Sequence, residues 1–327
     1  MSRLAIVIPF LGDTQRLEET LVSVLENRPP DSEVLVVLCR PYDNPYHLED
    51  EVRFVPGPAR PSWAGALNHG TAAARAVYIH ALCCGATVTE GWAEPALHHF
   101  HEPTVAAVAP AIAESTLPER VLAGLYYDPR GAIRQCHVGP ESRGFSSVPV
   151  APHWAAAFYR KSAWEAAGPL AEEVGDQLAM LDFALTLAAL GHRTVVEPRC
   201  VVRMSAGGVS SSAFRRACDA ERFYWRWAGV SGPKKLASHA RYVAADCLAG
   251  LADLSFFARL AGRLVGLAGW RTAGRQRRRI EDLKQACRLA NASAPTQRLI
   301  PVRGNGSAGP ASAGCPSPAG RPLRAAK

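Results

Sequence analysis

Short apolar runs alternate with helical segments over the first 230 residues, and this alternation restricts the fold most. Leu4–Ile8 is an apolar run, apolar positions between Leu17 and Leu25 recur at helical spacing, and Glu33–Leu38 is a second apolar run. Apolar runs without alternation are typical of strands buried on both faces. Two such strands joined by one helix predict a right-handed crossover, and therefore an α/β protein with a mainly parallel sheet.

The same alternation continues along the chain. We predict helices at about 64–76, 93–101, 160–168 and 180–190, and strands at 77–82, 105–109, 193–196 and 200–202. Residues 126–152 are rich in Gly, Pro, Ser and Arg, which predicts a long loop.

Beyond about residue 212 the sequence predicts long helices. Residues 234–290 contain no proline, and apolar side chains recur there every three or four positions. From Asn291 onward the chain is Ala, Gly, Ser and Pro with scattered Arg, a composition that cannot bury enough surface to order itself. The predicted organisation is an α/β domain over 1–210, a basic helical extension over 211–291 and a disordered tail over 292–327.

The formal net charge of +8 belongs to the C-terminal third. Residues 231–291 carry 12 Lys and Arg against 4 Asp and Glu, and residues 292–327 carry 5 against none. Apolar and basic residues interleave over 241–279, which predicts contact with an anionic membrane surface. The alternative is a helical hairpin packed on the α/β domain with its arginines in water. No aromatic residues interleave with the arginine cluster, so we expect no nucleic-acid partner.

The sequence also predicts where the protein works. Arg3 precedes only five apolar residues, too few for a secretory signal, and no window offers the ~18 apolar residues of a membrane-spanning helix. Nine cysteines include no CxxC pair, which argues against a zinc site or a disulfide framework. We expect a cytoplasmic protein, or a peripheral one at the inner face of the cell membrane.

Several segments together resemble the family 2 glycosyltransferases, which have the GT-A fold. The likeness covers about residues 3–205 and includes Leu4–Pro9, Leu21–Leu25, Glu33–Val37, Asn68–Gly70, Gly91–Trp92, Ala166–Leu170, Leu190–Arg193 and Glu197–Pro198. The resemblance implies transfer of a sugar, with inversion, from a nucleotide-sugar donor to a glycan or lipid-linked acceptor.

The acids that this family uses are largely replaced here. Its acidic pair after the second strand falls on Leu38-Cys39, its metal-binding Asp-x-Asp on Cys83-Cys84-Gly85 and its base on Ala179-Met180. Adjacent thiols are poor ligands for a hard divalent cation, and neighbouring strand side chains point to opposite faces. We therefore predict that this segment holds no metal ion and that the thiols of Cys83 and Cys84 pack at the end of the strand. The competing class is a non-catalytic homologue that acts as a binding or scaffold subunit of a glycan-assembly system.

The remaining candidates follow from the resemblance and from position. Asp182 and Asp176 are the predicted catalytic residues, although an acid at a predicted helix start such as Asp182 is also explained as a cap. Asn68 either binds a ribose or closes its own turn. The predicted donor-binding residues are Pro9, Asp43, Asn68, Cys83 and Gly85. Without a metal, basic groups would meet the charge of the diphosphate, and the candidates are Arg40, Arg60 and Arg75.

Overall fold

The computed structural model describes residues 3–114, 121–128, 133–138, 150–204, 212–231 and 236–293. The described strands are β1 (Leu4–Phe10), β2 (Ser32–Leu38), β3 (Val52–Pro56), β4 (Tyr78–Leu82), β5 (Ala86–Thr87), β6 (Val105–Glu114), β7 (Val121–Tyr127), β8 (Ile133–His137), β9 (Val150–Pro152), β10 (Ala156–Arg160) and β11 (Arg193–Met204).

The helices carry the crossovers and the C-terminal region. The described helices are α1 (Thr14–Asn27), α2 (Trp63–Ala73), α3 (Glu94–His98), α4 (Lys161–Ala167), α5 (Asp176–Ala189), α6 (Ala213–Ser231), α7 (Leu236–Ala249), α8 (Phe256–Gly266) and α9 (Ala273–Ser293).

The strands form one sheet in the order β3-β2-β1-β4-β10-β6-β11-β5. The strand β7 also pairs with β6, and both β8 and β9 pair with β7. The strands β3, β2, β1 and β4 are parallel, so their carboxyl ends lie at one edge. The strand β10 is antiparallel to both β4 and β6. The predicted α/β class with a C-terminal helical region is confirmed, and the sheet is parallel in its first part and mixed beyond it.

Both faces of the sheet are buried, because the side chains of β1 alternate between two cores. Leu4, Ile6 and Ile8 pack on the face that carries α1 and α3. Val7 packs on the opposite face, under α2 and α5. A Cβ added to Gly70 of α2 would lie 2.3 Å from Val7 Cγ1, so only glycine allows this close approach.

A neutral histidine lies in the middle of the sheet. The ring of His80 on β4 stacks 3.8 Å from the ring of Phe158, and its Nδ1 is 3.1 Å from the carbonyl of Ala157. Trp92 Nε1 donates to His80 Nε2 at 3.4 Å. Burial lowers the pKa of His80 to about 3, so the ring is neutral at physiological pH, with a proton on Nδ1 and an acceptor at Nε2.

Several elements differ from their predicted bounds. The strand β6 extends to Glu114 instead of 109, and β8 lies inside 126–152, which was predicted as a loop. The two short strands predicted on either side of Pro198 form one strand, β11, whose pairing with β6 shifts register between Glu197 and Val201. The helix predicted from 180 begins at Asp176, four residues earlier. Asp182 therefore lies inside α5, and the prediction that it caps a helix is wrong.

The C-terminal helices pack on each other and on the α/β part, with α6 in contact with α8 and α9. Arg263 of α8 is 4% exposed and pairs with Glu221 of α6 at 3.2 Å. Arg259 pairs with Asp246 and Asp253. Arg263 is thus buried and Arg259 half-buried, whereas the hairpin interpretation placed the arginines in water. No helix within the described ranges is long and apolar enough to cross a membrane. The predicted tail lies almost wholly outside the described residues.

Candidate functional site

Three of the predicted donor-binding residues meet at the carboxyl ends of β1 and β4. Cys83 N donates to the carbonyl of Ala155 at 2.9 Å, and the thiol of the next residue, Cys84, donates to the carbonyl of Pro9 at 3.3 Å. Gly85 has φ +85°, and its N–H donates to Thr20 Oγ1 at 2.9 Å. The segment after β4 is therefore fixed against β1 and against α1.

The thiols at this edge do not suit a divalent cation. Burial is the main cause that raises the pKa of Cys83 to about 12, and the pKa of Cys84 also rises to about 12 because of burial and the nearby charge of Asp13. Both side chains stay protonated at neutral pH, whereas a metal needs the thiolate. Within the described ranges no group of three or more His, Cys, Asp or Glu is placed to hold a metal ion.

The end of β2 lies beside the end of β1. Cys39 N donates to the carbonyl of Phe10 at 3.0 Å. Asp43 is exposed in the loop that follows, and its neighbour Tyr42 packs edge-on against the Phe10 ring at 5.7 Å. Arg40 is exposed at the same edge. Asp43 and Arg40 therefore lie near the strand ends, in contact with solvent.

Two of the basic candidates occupy different edges. Arg60 is exposed in the loop between β3 and α2, on the carboxyl side of the strands. Arg75 precedes β4, so it lies at the amino edge, where its backbone N–H bonds to Glu33 Oε1. That position does not suit a phosphate bound over the carboxyl ends.

The side chain of Asn68 on α2 bonds to the segment that precedes α5. Its Nδ2 donates to the carbonyl of Leu170 at 3.0 Å, and its Oδ1 accepts from Leu170 N–H at 2.8 Å. Both ends of the amide are thus used to join α2 to the segment before α5. Neither of the two roles predicted for Asn68 is the one that these contacts describe.

Asp182 holds two helices together. Its Oδ1 accepts from Arg226 Nε at 2.7 Å and from Trp227 Nε1 at 2.8 Å, while its Oδ2 accepts from Arg226 Nη2 at 3.1 Å. The residue is 2% exposed. A carboxylate with both oxygens engaged in a buried, bidentate pair has little access to an acceptor hydroxyl, so this geometry does not suit a general base.

Asp176 stands at the N-terminus of two helices. It is the first residue of α5, and its Oδ1 accepts from Ala64 N–H in the first turn of α2 at 3.1 Å. Burial is the main cause that raises the pKa of Cys39, Arg40 lowers it, and the charge of Asp176 raises it further. Asp176 is therefore within electrostatic range of the end of β2. The half-buried carboxylate thus lies between the strand ends and the cavity described next.

A cavity of about 650 Å³ lies between the start of α5, the strands β7 and β8, and the C-terminal helices. Neither Cys83 nor Asp182 lines it. Its charged lining comprises Asp176, Arg215, Arg216, Asp219, Asp246, Arg259 and Arg263, and its other lining side chains include Leu125, Ile133, Leu178 and Tyr242.

The sequence analysis did not predict this cavity. Arg215 lies four residues before Asp219 on α6, a spacing that marks a pair on one helix face. Asp246 and Asp253 are isolated acids within a basic region, and both pair with Arg259. These signals predict ion pairs, but only the packing of α6, α7 and α8 brings them to one cavity.

No family model matches the chain, and no curated protein matches it. Among solved structures, the mannosyltransferase PcManGT from Pyrobaculum calidifontis, in complex with GDP-Man and Mn²⁺, is similar with a TM-score of 0.50 and 18% identity over 86% of this chain and 87% of that one. GalNAc-T7 with UDP, GalNAc and Mn²⁺ is similar with a TM-score of 0.52 and 11% identity, over 73% of this chain and 55% of that one. At such identities the likeness concerns the fold. The chain has the GT-A-like fold of glycosyltransferases that its sequence resembles.

Proposed function

We propose that this protein transfers a sugar from a nucleotide-sugar donor to a glycan or lipid-linked acceptor, with inversion at the anomeric carbon. The observation that carries the proposal is the position of Asp176, between the carboxyl ends of the parallel strands and the cavity. The donor occupies the strand ends, where Pro9, Asp43, Cys83 and Gly85 lie, and the acceptor occupies the cavity.

Asp176 serves as the general base in this proposal. Its Oδ1 is bonded to Ala64 N–H, which leaves Oδ2 to accept the proton of the acceptor hydroxyl. The hydroxyl oxygen forms a bond to the anomeric carbon as the bond from that carbon to the diphosphate breaks. The proton remains on Asp176, and the nucleoside diphosphate leaves. Asp182 acts as a positioning residue that fixes α6, which forms one wall of the cavity.

The residues at the strand ends favour a donor site that uses no divalent cation. The protonated thiols of Cys83 and Cys84 cannot supply the anionic ligands that carboxylates give in an Asp-x-Asp motif. The charge of the leaving diphosphate must then be met by cations and helix N-termini. Arg40 is the arginine that directly follows β2 at this edge.

Asp176→Asn tests the assignment of the base. We expect turnover of UDP- or GDP-linked sugars to fall by about 10²- to 10⁴-fold while the donor Kd stays constant, because general-base catalysis contributes that much. Glu172→Gln is the matched control, since Glu172 lies four residues before Asp176 and likewise bonds to the start of α2, through Ser62. Unchanged turnover in Asp176→Asn would remove Asp176 from the mechanism. Absence of any nucleotide binding to the unaltered protein would favour the non-catalytic scaffold.

We also propose that the protein attaches to the inner face of the cell membrane through α7 and α8. The side chains at their junction face outward: Leu254 is 94% exposed, Phe257 79%, and Leu251 59%. Leu254 has φ +56°, an uncommon conformation for leucine, and the turn is held by bonds from Ser255 and Arg259 to Asp253. Such an apolar patch is typical of insertion into the headgroup boundary.

Vesicle sedimentation tests the attachment. The variant Leu254→Asp/Phe257→Asp should lose most of its binding to vesicles that contain anionic phosphatidylglycerol, because each change places a charge in the apolar boundary. Val22→Asp is the control, since Val22 is 57% exposed on α1. Equal sedimentation of the double variant and the unaltered protein would contradict the attachment.

A further inference from the structure

The helices α7 and α8 turn charged side chains inward and apolar side chains outward, the reverse of an ordinary surface helix. The structure describes all of residues 242–270, and Asp253 is the one charged residue among them that is exposed. Asp246 pairs on the inner side with Arg259 at 3.2 Å and with Arg263 at 2.7 Å. The large exposed side chains are apolar and form the outer face, which includes Leu248, Leu251, Leu254, Phe257, Leu260 and Leu264. This face suits an apolar medium better than water.

Exposed arginines stand at both ends of the outer face. Arg241 precedes it, and Arg271, Arg275 and Arg278 follow it. Arginines at this position are complementary to the anionic headgroups of a bilayer whose apolar part meets the outer face. A second copy of this chain would bring its own arginines to the same place, and like charges would repel. Charge complementarity therefore favours a membrane as the partner of the outer face.

The same two helices line the cavity with their inner side. The lining includes Tyr242 and Asp246 of α7 and Arg259 and Arg263 of α8. An α-helix with its side chains is about 10–12 Å across, so the cavity lies within about one helix diameter of the outer face. The headgroup layer of a bilayer lies directly outside its hydrocarbon core. A membrane that meets the outer face therefore holds its headgroups near the depth of the cavity.

We propose that the acceptor is an amphiphilic membrane lipid, whose polar headgroup enters the cavity while its hydrocarbon chain stays along the outer face. The hydroxyl that receives the sugar belongs to this headgroup. The inference rests on the proposed function, and it selects one of the two acceptor classes named there. A lipid chain that covers Leu260 and Leu264 removes apolar surface from water, whereas a free glycan gains nothing from the outer face.

The class of the labelled product tests the proposal. The purified full chain is incubated with radiolabelled UDP- and GDP-linked sugars, together with lipids extracted from native membranes and water-soluble glycans of the same cells. Reversed-phase resin retains lipid-linked sugars and releases free glycans, and we expect the label on the resin. Label in free glycans alone would overturn this inference and leave the proposed function standing. Transfer to neither class would contradict the proposed function itself, and this inference with it.

A change on the outer face tests the path of the chain. Leu264→Asp should lower transfer to lipid about tenfold or more while the donor Kd stays constant, because a charge replaces the apolar contact with the chain. Leu289→Asp is the matched control, since Leu289 of α9 is 61% exposed against 60% for Leu264 and lies outside the outer face. Equal transfer by the two variants would overturn the proposal. A dimer in light scattering that Leu264→Asp converts to a monomer would also overturn it, by assigning the outer face to a second copy.

Discussion

The strand ends carry neutral thiols, whereas the cavity is lined by charged side chains. At the ends of β1, β2 and β4 the side chains that follow the strands include three thiols with raised pKa values. The cavity beyond Asp176 is lined by four arginines and three aspartates. Thiols follow these strands directly, whereas the charged side chains of the cavity are carried by α5, α6, α7 and α8. The packing of α6 against α5 thus becomes part of the site.

Breaking the ion pair between Asp182 of α5 and Arg226 of α6 should have the largest effect on the free energy of unfolding. Arg226→Met leaves Asp182 buried without its cation, and breaking a buried ion pair costs about 3–5 kcal/mol. Urea unfolding monitored by circular dichroism measures the loss. Arg222→Met is the control, because Arg222 is 44% exposed and lies 3.9 Å from Asp219, and it should cost under about 1 kcal/mol. Equal losses would show that the junction is not held by Asp182.

The sheet interior should respond to acid through His80. Its pKa is about 3 in the folded protein and about 6.5 when unfolded, so the unfolded state binds more protons between these values and stability falls as pH falls. Between pH 7.5 and pH 5 this histidine should cost about 2 kcal/mol. In urea unfolding over the same interval, the His80→Gln variant should lose about 2 kcal/mol less stability than the unaltered protein. His98→Gln is the control, because His98 is exposed, and this variant should lose as much stability as the unaltered protein. An equal loss in His80→Gln would contradict the neutral buried ring.

The strand-end thiols should show a purely kinetic effect. With a pKa of about 12 instead of 9.0, Cys83 and Cys84 have about a thousandfold less thiolate at pH 8, and alkylation requires the thiolate. Peptide mass spectrometry after iodoacetamide treatment should find half-buried Cys287 of α9 modified long before either of them. Alkylation of Cys84 as fast as Cys287 would mean that this edge is more open and more polar than described.

Local sequence signals predicted the parts of the fold that depend on neighbours in the chain. The apolar runs of β1 and β2 and the spacing on α1 follow from period and burial, and the structure has these elements close to the predicted bounds. The start of α5 was missed because Leu178, Ala179, Met180 and Leu181 are all buried. A helix that is apolar all round has no polar face to mark where it begins.

The site depends on contacts between distant residues, and those left little trace in the sequence. Arg263 meets Glu221 across 42 residues, and Arg226 meets Asp182 across 44. Each arginine alone resembles any surface arginine, so the sequence did not predict the cavity that Arg259 and Arg263 line. The sequence itself drew attention to the thiols Cys39 and Cys83, because the resemblance indicated which positions to compare.

Donor titration with and without a divalent cation tests the central claim most directly. The claim is that a GT-A-like strand edge whose thiols stay protonated binds a nucleotide sugar without a metal. Isothermal titration with UDP- and GDP-linked sugars should give a Kd that differs by less than about twofold between excess EDTA and excess Mn²⁺. A twofold change corresponds to ~0.4 kcal/mol, which is much less than a metal bond to the diphosphate would contribute. Binding that requires Mn²⁺, or that tightens tenfold or more with it, would contradict the account.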